Sequence, residues 1–316
     1  MKFTQLKYAL KVAQLKNFSK AAQECNVSQP SLSVAIKNLE EELNTTLFER
    51  FKNDIQLTSN GEKLIKQIKH ALDEVEKVTL MAASMQGELT GSFKLGAIYS
   101  VGPYVFPNLV PAIHQLAPKM TLMVEENFTA TLLSYLAHGQ VDAALVALPF
   151  DHPGMNVIPL YEEPFVAAVP KGHPWEDRDN LSGDELADQK LLLLGRGHCF
   201  REQVLEICQQ DHSFEDSSDG IHNFIEGNSL ETIRHMVAVG TGITVLPSSS
   251  LENFLCSAQD SCPVKSSLAL RYAHFKDPVP SRKIALAYRS TFASIDAINV
   301  IIKAVMNTLP YKCRAL

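Results

Sequence analysis

Two cysteines, Cys199 and Cys208, are the residues of this 316-residue sequence best suited to do chemistry. A glycine-rich turn precedes Cys199, which begins a helix-like segment that runs to Cys208. A cysteine at a helix N-terminus lies at the positive end of the helix dipole, and His198 and Arg201 add basic groups beside it. We therefore expect Cys199 to favour the thiolate, which attacks peroxides and gives a sulfenic acid that a second cysteine can capture.

The spacing of Cys199 and Cys208 sets a condition on that chemistry. Nine helical steps place the two backbones about 13 Å apart and the two side chains on opposite faces. A disulfide requires Cα atoms within roughly 4.4–6.8 Å, so the bond needs the segment to unwind. The pattern therefore fits a redox switch whose strained disulfide is readily reduced. The alternative is a pair of inert structural thiols, because free cysteine is among the most buried residue types.

The composition indicates a soluble, globular chain with about two or three domains. Hydrophobic residues make up 46% and charged residues 20% of the sequence. The six cysteines form no CxxC pair and show no metal-ligand spacing, so we expect no metal and no cofactor. No apolar run approaches ~18 residues and no signal-peptide pattern opens the chain, which predicts a cytoplasmic protein without a membrane partner.

The charge is distributed unevenly along the chain. The net charge is −6, yet residues 1–70 carry ten Lys and one Arg against seven acidic residues, a local charge of +4. An acidic protein with a basic N-terminal segment is typical of a chain in which one domain faces a polyanion.

The first 60 residues show the pattern of a winged helix-turn-helix. The sequence predicts a first helix that ends near Asn17, a short second helix with Ser19 as its N-cap, and a third capped by Ser28. The buried stripe of the third helix is formed by Leu32, Ile36, Leu39 and Leu43. The basic stretch 50–54 lies between two short strand-like runs and is typical of a wing.

This region resembles the DNA-binding domain of LysR-type transcriptional regulators, without a gap, over about sixty residues. The matching positions are Ala21, Ala22, the run 27–33, Leu39, Glu40, Leu43, the run 47–50, Leu57, Thr58 and Gly61. The resemblance implies contacts with the bases and phosphates of double-stranded promoter DNA. The residues implied to make them are Gln29, Pro30, Ser31, Ser33, Lys37, Arg50 and Lys52. Ser28 and Pro30 also start a helix, and one exposed helix end can serve both roles.

Residues 61–88 predict a long linker helix and a hinge after it. A narrow apolar stripe follows the helix at Leu64, Ile68, Leu72, Val75, either Val78 or Thr79, and Ala82. Because one narrow stripe gives such a helix no core of its own, we expect it to pair with a second copy of itself. The stripe alone indicates a homodimer, whereas the family resemblance implies a homotetramer.

After residue 89, short strands alternate with helices, which is typical of an α/β architecture. The predicted strands cover 93–98, 121–125, 142–147, 165–169, 191–194, 243–246 and 283–288. The predicted helices cover 107–116, 129–138, 229–239 and 291–307. The resemblance implies a two-lobed regulatory domain like a periplasmic binding protein. Its lobe I covers about 89–162 and 269–316, and its lobe II covers about 163–268.

Within the LysR-type family, this regulatory domain resembles the peroxide-sensing members. The matching positions are the runs 100–104, 173–175, 197–199, 229–232 and 240–247, together with Asp142 and Cys208. The resemblance implies that Cys199 reacts with hydrogen peroxide and that Cys208 resolves the product. The residues implied to surround the peroxide are Ser100, Thr129, His198 and Arg282. Asp142 matches a surface position that contacts RNA polymerase.

Three hypotheses about function follow, in order of preference. The first is a peroxide-sensing transcriptional activator, not an enzyme, whose Cys199–Cys208 disulfide changes its DNA contacts and induces antioxidant genes. It works with RNA polymerase and is reset by a thiol reductant such as glutaredoxin or thioredoxin. The second is a LysR-type regulator that answers a small metabolite in the inter-lobe cleft, with inert cysteines. The third is a thiol peroxidase, for which a winged helix and a pairing stripe have no use.

Overall fold

A computed structural model describes residues 1–50, 55–84, 89–208, 224–251 and 270–316. The chain divides into two compact units, Met1–Gln86 and Gly87–Leu316. The first unit contains helices and a two-stranded hairpin, and the second is built around an eight-stranded sheet.

Three helices build the core of the first unit. They are α1 (Phe3–Leu15), α2 (Phe18–Glu24) and α3 (Gln29–Glu42). Ser28 caps α3 as predicted, because its hydroxyl oxygen accepts a hydrogen bond from a first-turn N–H at 3.3 Å. The expected cap of α2 is wrong: Asn17, not Ser19, accepts the corresponding N–H bond, at 2.9 Å. Asparagine caps as well as serine does, and this start lets Phe18 enter both the helix and the core.

A short antiparallel hairpin, β1 (Phe48–Arg50) and β2 (Ile55–Leu57), forms the wing. The carboxylate of Glu40, on α3, accepts hydrogen bonds from the N–H groups of Leu47 at 2.7 Å and of the next residue at 3.2 Å. These bonds fix the start of the wing against the third helix. Lys52, a predicted phosphate contact, lies outside the described residues.

The long helix α4 (Ser59–Ser84) follows the wing, where the sequence predicts a linker helix. Part of its apolar stripe is not free for a second copy, in contrast to the expectation. Ile65 and Ile68 are buried in the core of this same unit. Further along, Val75 and Val78 are 47% and 64% exposed. Among the stripe residues whose side chains are described, Val75 and Val78 are therefore the ones exposed for pairing.

The second unit is a mixed α/β domain. Its strands are β3 (Gly91–Ile98), β4 (Met120–Asn127), β5 (Ala143–Ala147), β6 (Met155–Pro170), β7 (Leu191–Leu194), β8 (Phe224–Gly227), β9 (Thr244–Pro247), β10 (Leu270–His274), β11 (Ser281–Arg289) and β12 (Arg314–Ala315). Its helices are α5 (Gly102–Leu116), α6 (Thr129–Ala137), α7 (Cys199–Ile207), α8 (Leu230–Ala238) and α9 (Ile295–Asn307). The sheet order is β10-β6-β11-β5-β3-β4, with β9 and β12 also paired to β6, while β7 and β8 form a parallel pair.

Two hydrophobic cores divide this unit into two lobes. Residues between 93 and 161 and between 284 and 305 form the first core, and residues between 165 and 275 form most of the second. Strand β6 runs through both lobes, because its first part pairs with β11 and its last part with β9 and β10. Polar residues near the middle of β6 can therefore lie where the lobes meet.

The α/β architecture predicted from the sequence is confirmed, but three predicted elements start four or more residues away from their predicted positions. Helix α5 begins at Gly102 instead of 107, with a proline in its first turn and two more inside it. A first-turn N–H has no intrahelical acceptor, so a proline there loses no hydrogen bond. Strand β6 starts at Met155, well before the predicted strand at 165–169, and the last helix starts at Ile295 instead of 291.

Candidate redox site and DNA-binding face

Cys199 and Cys208 lie at the two ends of one helix. Cys199 is the first residue of α7, and Cys208 is its C-cap. Both thiols are free; Cys199 is partly buried and Cys208 is 4% exposed. The helical segment predicted between them is confirmed, and its buried face carries Phe200, Val204 and Cys208. A disulfide between these cysteines would therefore need α7 to unwind.

A small cavity is lined by Cys199 and by residues from three chain segments. The other lining residues are Ile98, Tyr99, Ser100, Asn127, Phe128, Thr129, Gly197 and His198. Its volume of ≈ 10 Å³ is close to the minimum that holds one water-sized molecule. Two buried atoms, Thr129 Oγ1 and His198 Nε2, have no hydrogen-bond partner among the described residues. Such atoms are rare, so the cavity has unmet hydrogen-bonding capacity for a small polar ligand.

His198 is the N-cap residue of α7 and is enclosed by aromatic rings. Its imidazole centroid lies 4.7 Å from that of Phe128 and 5.7 Å from that of Tyr99. Burial lowers the pKa of His198, because the charged form loses its hydration. The lowered pKa favours the neutral imidazole, so His198 adds less positive charge beside Cys199 than a solvated histidine would.

Arg201 does not supply the expected positive charge to Cys199 either. Its guanidinium lies 2.9 Å from the Glu226 carboxylate and donates to the carbonyl oxygen of Leu194 at 3.1 Å. The N-cap residue His198 makes no side-chain capping bond to α7. The backbone N–H groups at the start of α7 are thus the main source of positive potential at the thiol.

Arg282 connects Ser100 to a fully buried carboxylate. Its Nη1 donates to the Ser100 hydroxyl oxygen at 2.7 Å, and its Nη2 donates to the Ser100 carbonyl oxygen at 2.8 Å. Its Nε donates to Glu163 at 2.6 Å, and both charged side chains are 0% exposed. The other Glu163 oxygen accepts from the N–H of Ser249 at 3.1 Å. The structure therefore places Ser100 at the cavity, with Arg282 behind it.

Cys208 is held as a neutral thiol. Burial, with a smaller contribution from the nearby Asp184 carboxylate, raises the pKa of Cys208 to about 11. Thiolate is the reactive form of cysteine, so Cys208 is a poor nucleophile at pH 7 while α7 is intact.

A second, larger cleft also reaches Cys199. Its volume is ≈ 1050 Å³, and residues of both lobes line it. Its charged lining residues are Asp184, Glu202, Glu206, Lys276, Asp277, Arg282 and Lys283. Cys199 therefore borders both the small cavity and the inter-lobe cleft.

Asp142 is not at the surface, in contrast to the expectation. It is 7% exposed, and its carboxylate accepts from the N–H of Lys94 at 2.8 Å. The same carboxylate lies 4.0 Å from the guanidinium of Arg289. Asp142 directly precedes β5, so these contacts connect the start of β5 to Lys94 in β3 and to Arg289 in β11. A contact of Asp142 with RNA polymerase stays a prediction.

Five of the predicted DNA contacts lie on α3. Gln29, Pro30, Ser31 and Lys37 are exposed, and Ser33 is partly buried. Val34, which no sequence pattern singles out, is 57% exposed on the same helix. An exposed apolar side chain on such a helix can contact the methyl group of thymine. Arg50 ends β1.

Three residues of the redox site were absent from the sequence prediction: Glu163, Phe128 and Tyr99. A signal for Glu163 existed, because a buried arginine such as Arg282 requires a carboxylate partner. Tyr99 and Phe128 each precede a predicted site residue, but nothing in their local pattern indicates that they enclose His198.

The remaining described cysteines are not part of this site. Cys25 packs against the core of the first unit, and the Cys313 sulfur lies 3.7 Å from the Ser248 hydroxyl oxygen. Cys256 and Cys262 lie outside the described residues. Within the described ranges, no group of three or more His, Cys, Asp or Glu side chains could hold a metal ion. Over the same ranges, no helix is long and apolar enough to cross a membrane.

Two family models account for most of the chain. Residues 3–62 match the bacterial regulatory helix-turn-helix protein of the LysR family, and residues 86–309 match the LysR substrate binding domain. The chain therefore belongs to the LysR family of bacterial transcriptional regulators.

Within that family, the chain is similar to OxyR proteins over nearly its full length. The DNA-binding transcriptional dual regulator OxyR of Escherichia coli K12 is 37% identical over 290 residues, 92% of this chain and 90% of that protein. A full-length OxyR mutant from Pseudomonas aeruginosa is 40% identical, with a TM-score of 0.71 and coverage of 96% of this chain and 94% of that chain. A hydrogen peroxide-bound OxyR mutant from Corynebacterium glutamicum is 30% identical, with a TM-score of 0.63 and coverage of 98% and 94%.

Proposed function

We propose that this protein is a peroxide-sensing transcriptional activator that binds promoter DNA and is switched at Cys199. The small cavity carries the proposal, because Cys199 lines it together with Thr129 and His198, whose Oγ1 and Nε2 atoms are buried without a partner among the described residues. With ≈ 10 Å³ of space, this cavity suits a small polar oxidant and no bulky one, although Cys199 also borders the larger cleft. The peroxide-bound structure of the C. glutamicum relative supports hydrogen peroxide as that oxidant.

In the first step, the Cys199 thiolate attacks one oxygen of hydrogen peroxide. The S–O bond forms as the O–O bond breaks, which gives a sulfenic acid and a hydroxide ion that takes a proton from solvent. Ser100, Thr129 and His198 orient the peroxide, so that the attacked oxygen lies in line with the sulfur. Arg282 donates a hydrogen bond to the Ser100 hydroxyl oxygen. The Ser100 hydroxyl proton is therefore free to point at the peroxide.

In the second step, the Cys208 thiol displaces water from the sulfenic acid and forms a reversible disulfide with Cys199. The step requires α7 to unwind, which also brings Cys208 out of the burial that raises its pKa. Unwinding removes Phe200 from the core of lobe II and from its place 4.9 Å from the Arg282 guanidinium. We infer that this repacking of lobe II changes the conformation and DNA contacts of the oligomer. A thiol reductant such as glutaredoxin or thioredoxin then restores both thiols.

The proposed partners follow from the domains. We assign residues 1–60 to DNA binding, 61–88 to the pairing linker and 89–316 to redox sensing. The exposed Val75 and Val78 support self-association through α4, as a homodimer or, by family resemblance, a homotetramer. RNA polymerase is the partner through which an activator acts, and promoter binding places the protein in the cytoplasm.

Footprinting on a genomic DNA fragment that the reduced protein selects tests this function. Wild-type protein should change its footprint after brief hydrogen peroxide treatment and recover the original one after thiol reduction. Cys199→Ser should keep the reduced footprint, whereas the matched control Cys25→Ser should still switch. The proposal is wrong if Cys199→Ser also switches with peroxide.

The inter-lobe cleft of ≈ 1050 Å³ supports a second candidate, regulation by a charged small metabolite. Its lining carries both acidic and basic side chains, which could bind such a molecule. In that case Cys199→Ser would retain full induction, and peroxide would leave the wild-type footprint unchanged.

A further inference from the structure

The N-termini of two helices meet at the small cavity. Helix α6 begins with Thr129, helix α7 begins with Cys199, and both residues line the cavity. The N-cap residue of neither helix, Phe128 or His198, makes a side-chain capping hydrogen bond. The first-turn N–H groups of a helix have no intrahelical acceptor, so both ends give positive potential to this space.

The lining of the cavity adds a second, independent observation. His198 is 7% exposed, and its Nε2 has no partner among the described residues. Thr129 is partly buried as a residue, and its buried Oγ1 also has no partner among the described residues. None of the described residues that line the cavity is a lysine or an arginine. The nearby Arg282, behind Ser100, is paired with Glu163, so we assign the positive potential where a polar ligand would lie mainly to the helix ends.

Arg289 fixes the opposite end of α6. It donates to the carbonyl oxygen of Leu136, in the last turn, at 2.6 Å and to that of Val141 at 3.1 Å. Asp142 lies 4.0 Å from the same guanidinium and helps to hold it. A cation at a helix C-terminus compensates the negative end of the dipole. The uncompensated end of α6 is thus the one at the cavity.

We propose that the N-terminus of α6 accelerates the peroxide reaction electrostatically. It stabilises the negative charge that moves from the sulfur to the departing oxygen. This inference rests on the proposed function. As the S–O bond forms and the O–O bond breaks, one negative charge moves from the Cys199 sulfur to the departing hydroxide. Helix α7 stabilises that charge on the thiolate before the reaction, and α6 stabilises it on the departing oxygen. Only the second effect grows towards the transition state, so it is the one that accelerates oxidation.

Ala130 allows this inference to be tested without filling the cavity. It is the second residue of α6, and it is exposed. A glutamate at position 130 stabilises the helix but opposes the arrival of negative charge, so its effects on folding and on reaction rate have opposite signs. Ala130→Glu should oxidise Cys199 about 2- to 5-fold more slowly than wild type, and Ala130→Lys should be faster by a similar factor.

The measurement is the rate of Cys199 oxidation in the full-length protein with excess hydrogen peroxide at low salt. The pH is chosen on the plateau of the pH–rate profile. The difference between the two Ala130 variants should shrink at high ionic strength, because salt screens exposed charges. Ala137→Glu is the matched control, since Ala137 is exposed at the far end of α6, about 10 Å away. It should react like wild type.

Equal rates for wild type and both Ala130 variants would overturn the inference. It would also be overturned if Ala130→Glu reacted faster than wild type and Ala130→Lys. The proposed function would stand in either case, because wild-type Cys199 would still react. If wild-type Cys199 does not react with peroxide, the proposed function fails and this inference fails with it.

Discussion

The guanidinium of Arg282 holds Ser100 at two points, the hydroxyl oxygen at 2.7 Å and the carbonyl oxygen at 2.8 Å. The two residues are far apart in sequence, and Glu163 balances the charge of Arg282 with both side chains 0% exposed. The orientation of a hydroxyl at the small cavity thus depends on a buried ion pair behind it. Several consequences of this arrangement can be measured.

Ser100→Ala should slow the oxidation of Cys199 by hydrogen peroxide by ~10- to 100-fold, because the developing oxygen charge loses a hydrogen-bond donor. The rate should be divided by the rate of alkylation of Cys199 with iodoacetamide, which needs no peroxide site. Ser134→Ala, at an exposed position on α6, is the control and should match wild type in both reactions. A Ser100→Ala protein that loses both rates equally would contradict a specific role for this hydroxyl.

Glu163→Gln should destabilise the regulatory domain by about 3–5 kcal/mol, because it leaves the Arg282 charge buried without its partner. Urea unfolding followed by circular dichroism measures this loss. The neighbouring Glu162 pairs with Arg314, which is 81% exposed, so Glu162→Gln should change the stability little. Equal effects of the two substitutions would show that the buried pair is not special.

Cys208 should resist alkylation by iodoacetamide at pH 8 while Cys199 reacts, because burial and Asp184 raise the pKa of Cys208 to about 11. Mass spectrometry after timed quenching separates the two thiols. Urea at a concentration that unfolds α7 should make Cys208 reactive. Asp184→Asn should lower the pKa of Cys208 modestly, since burial is the larger cause. Rapid labelling of Cys208 in the native protein would contradict this account.

The burial of His198 predicts a pH-dependent stability. Its folded-state pKa lies below the unfolded value of about 6.5, so the unfolded chain binds more protons between those two values. The contribution is fully present above about pH 6.5 and is lost as the pH falls through the folded-state pKa. His198→Gln should therefore lose less stability than wild type between pH 7.5 and pH 5 in parallel urea titrations.

His235→Gln is the matched control for this pH dependence, because His235 is exposed on α8. It should keep the wild-type slope of unfolding free energy against pH. An unchanged slope in His198→Gln would mean that His198 does not titrate differently in the folded protein.

Local patterns predict the architecture and the reactive helix of this chain well. The third helix begins after Ser28 and the reactive helix begins at Cys199, because caps and apolar periodicity are short-range signals. Strand β6 is different: the sequence predicts only its last part, since two glutamates and two prolines interrupt the apolar pattern before residue 165. Those residues pair with β11, and this pairing depends on contacts distant in sequence.

The electrostatics of the redox site are harder to predict than its members. Ser100, Thr129, His198 and Cys199 line one cavity, and Arg282 lies behind Ser100. The neutral state of His198 depends on Phe128 and Tyr99, whose approach is a tertiary effect. Asp142 likewise resembles a surface residue in sequence, because only the fold brings Arg289 to it. Burial and partner charge, which set protonation, are therefore known only from the folded chain.

The most direct test of the account is mass spectrometry of thiol-trapped wild-type protein after brief, near-stoichiometric hydrogen peroxide. Wild-type protein should form a Cys199–Cys208 disulfide rapidly, and a thiol reductant should reverse it. In Cys208→Ser, a Cys199 sulfenic acid should replace the disulfide. If both thiols remain free in protein that still binds DNA, the peroxide switch is contradicted, and the inter-lobe cleft becomes the place to search for a signal.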